Sequence, residues 1–85
     1  MDEGTIELIA MGASAAVNCR PCLEHHLAKC DSLEVPREEV RTAVKVGQMV
    51  NRGAAGRTRE YVEELLGATE TEPRQETAEA AACCG

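Results

Sequence analysis

The chain contains no phenylalanine or tryptophan and a single tyrosine. Its remaining apolar residues are Ala, Val, Leu, Ile, Met and Cys, so no aromatic cluster anchors a core, and 85 residues offer one domain at most. A domain this small buries a smaller fraction of its surface than a larger one and commonly depends on disulfides, metal or self-association for stability. Small side chains let helices approach closely, and subunit association is the expectation from composition. Clustered Lys and Arg are also missing. Nine basic against fifteen acidic side chains leave a net charge of −6, which argues against a nucleic-acid partner, because a phosphate backbone is met by basic residues gathered on one face. The opening MDEGTIELIA is acidic and puts no basic region ahead of a long apolar run. Neither a signal peptide nor a membrane span is therefore expected, and the expected location is cytoplasmic, where thiols are mostly kept reduced.

No stretch prefers strand; what is present is helical spacing. Ile6, Ile9, Ala10, Ala13 and Ala16 or Val17, widened by Leu8 and Met11, predict a first helix from about Asp2 to Ala16. Asn18 suits an N-cap and Pro21 is tolerated only in a first turn, so a second helix is expected from near Cys19 to about Leu33. Pro36, Glu38 and Glu39 open a third, with Val40, Ala43, Val44, Gly47 and Val50 on its buried face and Gly53 as its stop. A fourth, roughly Ala54 to Leu66, is expected to bury Ala55, Tyr61 or Val62, and Leu65, with Gly67 as its C-terminal cap. The fold class is thus all-α, a small domain of about four helices over residues 1–67. Residues 68–85, ATETEPRQETAEAAACCG, lack Val, Leu and Ile and read as a flexible acidic tail.

Five cysteines in a cytosolic chain point to reactive or metal-binding thiols more than to staples. On the second helix Cys19, Cys22, His26 and Cys30 share a stripe at i, i+3, i+7 and i+11. A single zinc ion held by all four is excluded by the helical rise, which separates Cys19 from Cys30 by roughly 16 Å. Three of them with help from another helix leave a metal open, and Cys30 reads on its own as a small buried hydrophobe. Cys19 and Cys22 at a helix start are close enough for a disulfide, and the helix dipole favours a thiolate there. His26, one turn beyond Cys22, is placed to take that thiol's proton, whereas His25 points about 100° away. Glu7 is the only carboxylate between Thr5 and Leu23 and lies inside the apolar run IELIAM. Either it faces solvent or, if the first two helices pack antiparallel, it orients His26 and stabilises its imidazolium.

The spacing E-x11-C-x2-C-x3-H, carried here by Glu7, Cys19, Cys22 and His26, resembles the signature of the alkylhydroperoxidase D branch of the carboxymuconolactone decarboxylase family. ELIAMGASAAVNCRPCLEHHLAKC followed by VPREEVRTAVKVGQMVNRGAA extends the likeness over about Glu3 to Gly67. The resemblance implies an all-helical domain assembled as a homotrimer or homohexamer. It implies a thiol-dependent peroxidase that needs no metal or other cofactor, in which the dithiol reduces a peroxide, becomes a disulfide and is recharged by a lipoyl group or a thioredoxin-like protein. Carried over residue by residue, Cys22 is the attacking thiolate, with Cys19 as rival, Cys19 the resolving thiol, His26 the proton relay and Glu7 its partner. Decarboxylases of the wider family do not depend on this dithiol, so its presence argues against a lactone-decarboxylating lyase. Arg20 and Pro21 between the cysteines, the absence of the extra helices of longer members, and a tail ending in Cys83 and Cys84 depart from the pattern. Arg20 either holds a thiolate or an anionic substrate, or faces solvent.

Two other functions fit the sequence. Adjacent thiols suit soft ions better than a mutual disulfide, so Cys83 and Cys84, with the CxxC pair, would serve a binding module for a soft metal or metalloid. A tail of that length has a reach of roughly 20 Å, enough to visit a site on its own or a neighbouring subunit, and equally it has no role. The remaining alternative is a non-catalytic oligomeric scaffold.

Overall fold

The structure, a computed structural model, describes residues 1–67. Among these residues there are three helices and no strand: α1 (Glu3–Ala16), α2 (Arg20–Ser32) and α3 (Arg37–Leu66). The described residues divide into two compact units, the first spanning 1–51 and the second beginning at Arg52. Cys83 and Cys84 lie outside the described residues, as does the whole segment 68–85.

Asp2 caps α1 by accepting the Thr5 N–H on Oδ1 at 2.7 Å. The helix ends differently from the sequence expectation. Asn18 is not the N-cap of α2; it sits in the left-handed region at φ 58°, just past the end of α1. Its N–H donates to the Ala15 carbonyl at 3.2 Å, and the Cys19 N–H donates to the Ser14 carbonyl at 3.0 Å. This is the Schellman arrangement, in which two orphan carbonyls are satisfied by a residue at positive φ, a role Asn fills better than most non-glycine residues. Cys19 becomes the N-cap of α2. The far end of α2 repeats the device with Glu34 at φ 61°: Glu34 N–H donates to Asp31 O at 3.0 Å and Val35 N–H to Cys30 O at 2.9 Å.

Two tight corners fold α2 back on α1, and they set residues 37–51 of α3 parallel to α1. At one end a Cβ on Gly4 would touch the Val35 side chain at 3.4 Å; at the other Asn51 Nδ2 donates to the Ala16 carbonyl at 2.9 Å, capping the last turn of α1 from outside. Between them the backbones nearly touch. A Cβ on Gly47 would collide with the Gly12 carbonyl oxygen and lie 2.9 Å from its carbon, and one on Gly12 would lie 2.9 Å from the Ala43 oxygen. The core that results is small: Met11, Ala15, Cys30 and Val40 are buried, with Leu8, Leu23, Leu27, Val35, Ala43 and Val44 packed around them. Ser14 is buried too, its hydroxyl donating to the Ala10 carbonyl at 2.6 Å.

Three expectations about helices are corrected. The buried stripe of α1 runs through Met11 and Ala15, rotated from the one predicted, and Ile6 and Ile9 stay 47% and 55% exposed. α3 does not stop at Gly53 but continues for 30 residues, so three helices stand where about four were expected. A glycine inside a helix costs about 1 kcal/mol relative to Ala and leaves its N–H available, which does not break a ladder with no proline behind it. The helix stops at Gly67, where φ reaches 84° and the N–H donates to the Glu63 carbonyl at 2.8 Å. In the second unit, Ala55, Tyr61, Val62 and Leu65 are exposed instead of buried. Val50, on the expected inner face of α3, is exposed as well.

Candidate active site

The corner at Asn18 fixes where the thiols stand. Cys19, at φ −97° and ψ 99°, is the last extended residue; Arg20 and Pro21 begin α2, and Cys22 is its third residue. Proline loses nothing at this point, because the first N–H groups of a helix have no internal acceptor. The two cysteines form a disulfide with their Cα atoms 5.2 Å apart, inside the separation such a bridge requires. No side chain caps the start of α2. A sulfur released as thiolate by reduction of the bridge therefore lies at the positive end of the helix dipole, beside unsatisfied peptide N–H groups. Both cysteines are half-buried.

His26 lies one turn beyond Cys22 on α2, and helical side chains lean toward the N-terminus, which tilts its ring back toward the dithiol. Its Nδ1 meets Glu7 Oε1 of α1 at 2.7 Å. Glu7 is 12% exposed and His26 28%, so the pair is largely out of water. An ionised carboxylate only accepts; the hydrogen in this contact therefore belongs to Nδ1, and in neutral His26 the free lone pair is on Nε2. That nitrogen is free to accept a proton, in a ring held by the carboxylate behind it. Glu7 also lines a pocket of about 380 Å³ with Glu3, Ile6, Lys29, Ser32 and Leu33.

Of the four residues singled out in the sequence, the structure joins Cys19 to Cys22 and Glu7 to His26. Glu7 faces the second helix, which disposes of the solvent-facing alternative. Cys30 does not join them as a site residue: it is free, 0% exposed and part of the core. Burial pushes its thiol above the ordinary range, with Glu7 and Asp31 adding to the effect. Arg20 is exposed, as its solvent-facing reading has it. Among the described residues no group of three or more His, Cys, Asp or Glu is gathered in a way that would hold a metal ion.

Two contacts escaped the sequence reading, which has His25 pointing about 100° away and gives Asn51 no role. The His25 ring stands edge-on to that of His26, 4.9 Å between centroids and 74° between planes, and so limits how far the relay ring can swing. Asn51 ties the end of α1 to α3 just before the corner that carries Cys19. The adjacency of the two histidines hinted at the first; nothing local signals the second.

Compared with known families, residues 1–64 match the model of the carboxymuconolactone decarboxylase family. Searches of curated proteins and of solved structures each returned no match. Among the described residues no helix is long and apolar enough to cross a membrane.

Proposed function

The chain belongs to the carboxymuconolactone decarboxylase family, and from that premise we propose that it is a thiol-dependent alkylhydroperoxidase of the alkylhydroperoxidase D-like branch, an oxidoreductase that reduces peroxides with Cys19 and Cys22. The family includes both decarboxylases and alkylhydroperoxidases. The observation that carries the second reading is the pairing of His26 with Glu7 at 2.7 Å one turn beyond a dithiol at a helix start. A decarboxylation has no need of a redox dithiol, whereas a dithiol with a base one turn away supplies the nucleophile, the resolving thiol and the proton acceptor of a thiol peroxidase.

In the proposed cycle His26 Nε2 accepts the proton of Cys22, and the thiolate attacks the terminal oxygen of a hydroperoxide. The S–O bond forms as the O–O bond breaks; the alcohol leaves with the proton His26 returns, and Cys22 becomes a sulfenic acid. Cys19 then attacks that sulfur, water departs, and the Cys19–Cys22 disulfide of the structure results. A dithiol donor, either a lipoyl group or a thioredoxin-like protein, supplies two electrons by thiol exchange and restores the thiols. Glu7 never leaves Nδ1, so the relay needs no rearrangement between the steps. The reading includes a cytoplasmic setting and a homotrimeric or homohexameric assembly. Support for assembly comes from a groove of about 460 Å³ lined by Leu8, Ile9, Gly12, Ala13, Ala16, Ala43, Val46, Gly47 and Val50, an almost wholly apolar surface in a chain with a thin core.

The test is peroxide treatment of the reduced protein followed by mass spectrometry. Formation of one Cys19–Cys22 bridge per equivalent of cumene hydroperoxide is expected, together with an unresolved sulfenic acid in Cys19→Ser and no oxidation product at this site in Cys22→Ser. A protein that stays reduced under these conditions is not a peroxidase. Oxidation that proceeds equally in Cys22→Ser assigns attack to Cys19 instead.

A further inference from the structure

We propose that the groove between α2 and residues 37–48 of α3 is a binding site for an anionic amphiphile, a medium-chain monocarboxylate whose head sits at Arg41 and Lys45 and whose chain lies on Met11, Leu27, Val40 and Val44. The groove encloses about 380 Å³, within the roughly 300–1,000 Å³ of small-molecule sites and too little for a folded partner. Its floor belongs to the core: Met11 and Val40 are buried, and Leu27 and Val44 are half-buried. Arg37, Arg41 and Lys45 line the same groove. At i, i+4 and i+8 they form one row on α3, about 12 Å long.

In a chain of net charge −6, three cations beside an apolar trough are a local reversal of sign. Among the described residues, Arg37 alone of the three has an anionic partner, Asp31 at 2.9 Å. Arg41 and Lys45 have no ion pair with any described residue. Glu38 and Glu39 precede them on α3 and are exposed, but neither lines the groove. A neutral apolar ligand would leave the two cations unused, and a polar anion would leave Leu27 and Val44 partly wet. A carboxylate on an alkyl chain satisfies both, since a planar guanidinium matches a carboxylate and the trough takes the methylenes. The proposal does not rest on the peroxidase reading, because none of its residues belongs to the dithiol or the relay.

The experiment is calorimetric titration of the full chain with decanoate, below the concentration at which decanoate micellises and at low ionic strength. Saturable binding at one site per chain is expected. Arg41→Gln/Lys45→Gln should weaken it about tenfold, as should replacing decanoate by decanol, if the two ion pairs together contribute about 1.4 kcal/mol. Lys29→Gln, which removes a cation from a different surface, should leave it unchanged. Circular dichroism of each variant verifies folding, which these exposed positions do not threaten. No saturable binding of decanoate, equal affinity for decanol, or an undiminished affinity of the double variant overturns the proposal. An acidic peptide that binds this face while decanoate does not would also overturn it, and would assign the row of cations to a protein partner.

Discussion

Glu7→Gln is the substitution that separates a working relay from a structural contact. Glutamine keeps the shape of the side chain and an oxygen that still accepts from His26 Nδ1, so packing between α1 and α2 is preserved and only the charge is removed. In the structure the contact is 2.7 Å long and mostly shielded, with Glu7 12% and His26 28% exposed. A hydrogen bond between two charged groups in such a place contributes roughly 1.5–3 kcal/mol, against about 1 for a neutral one. The charge matters only when His26 holds the proton taken from Cys22. The loss, the difference of about 0.5–2 kcal/mol, therefore falls on the rate of thiol oxidation, and roughly 1.4 kcal/mol per factor of ten gives about a two- to thirtyfold slowing. Stopped-flow measurement of single-turnover disulfide formation with cumene hydroperoxide reads this directly. Glu3→Gln, an exposed carboxylate on the same helix, is the control and should react at the wild-type rate. A Glu7→Gln variant that oxidises at the rate of the Glu3→Gln control would sink the relay, whatever its effect on stability.

Gly47→Ala puts a methyl group against the Gly12 carbonyl, 2.9 Å from its carbon and 3.0 Å from the Ala15 side chain; urea unfolding should show a loss of about 1–3 kcal/mol despite the better helix propensity of Ala. Gly4→Ala, which meets only ordinary contacts at 3.4 Å, should show no such loss. Glu34→Gly relieves a left-handed residue at φ 61° and is expected to raise the urea midpoint, stabilising the fold by about 1 kcal/mol. Cys30 has its thiol pushed up by burial from the ordinary 9.0. In the unfolded chain it ionises first, so this contribution to stability is complete below pH 9 and is lost as pH rises from there toward the folded value. The midpoint should accordingly fall on going from pH 8 to pH 10 more steeply in wild type than in Cys30→Ala, and equal slopes would mean the thiol is not protected.

The site was more legible than the fold around it, and the reason is physical. Cys22 and His26 are related by helical arithmetic alone, and a hairpin of helices with a short corner brings residues at comparable distances from that corner to the same level, which is how Glu7 reaches His26. The corner itself was misread because Asn is favoured both before a helix and in the left-handed position after one; which role it takes depends on whether the carbonyls of Ser14 and Ala15 need its turn, and they do. The predicted inner face of α3 holds at Val40, Ala43, Val44 and Gly47 and fails at Val50, and that of α1 fails at Ile6 and Ile9, for a different reason. Ile6, Ile9 and Val50 have helical periodicity, and a periodic apolar stripe states only that something covers it. Within the first unit α1 and α3 meet through Gly12, Ala43 and Gly47; the last two belong to the predicted inner face, but Gly12 is too small to weigh in a hydrophobic pattern, and the close approach through it turns Ile9, Val46 and Val50 outward onto one apolar groove. Ile9 and Val50, which the sequence assigns to inner faces, are thus spare in a single chain, with Val46 beside them. A homo-oligomer in which a second copy covers it accounts for the apolar periodicity and for the thin core together, and it predicts that Ile9→Glu or Val46→Glu yields a folded chain of lower oligomeric state by light scattering, whereas an unchanged mass would place the interface elsewhere.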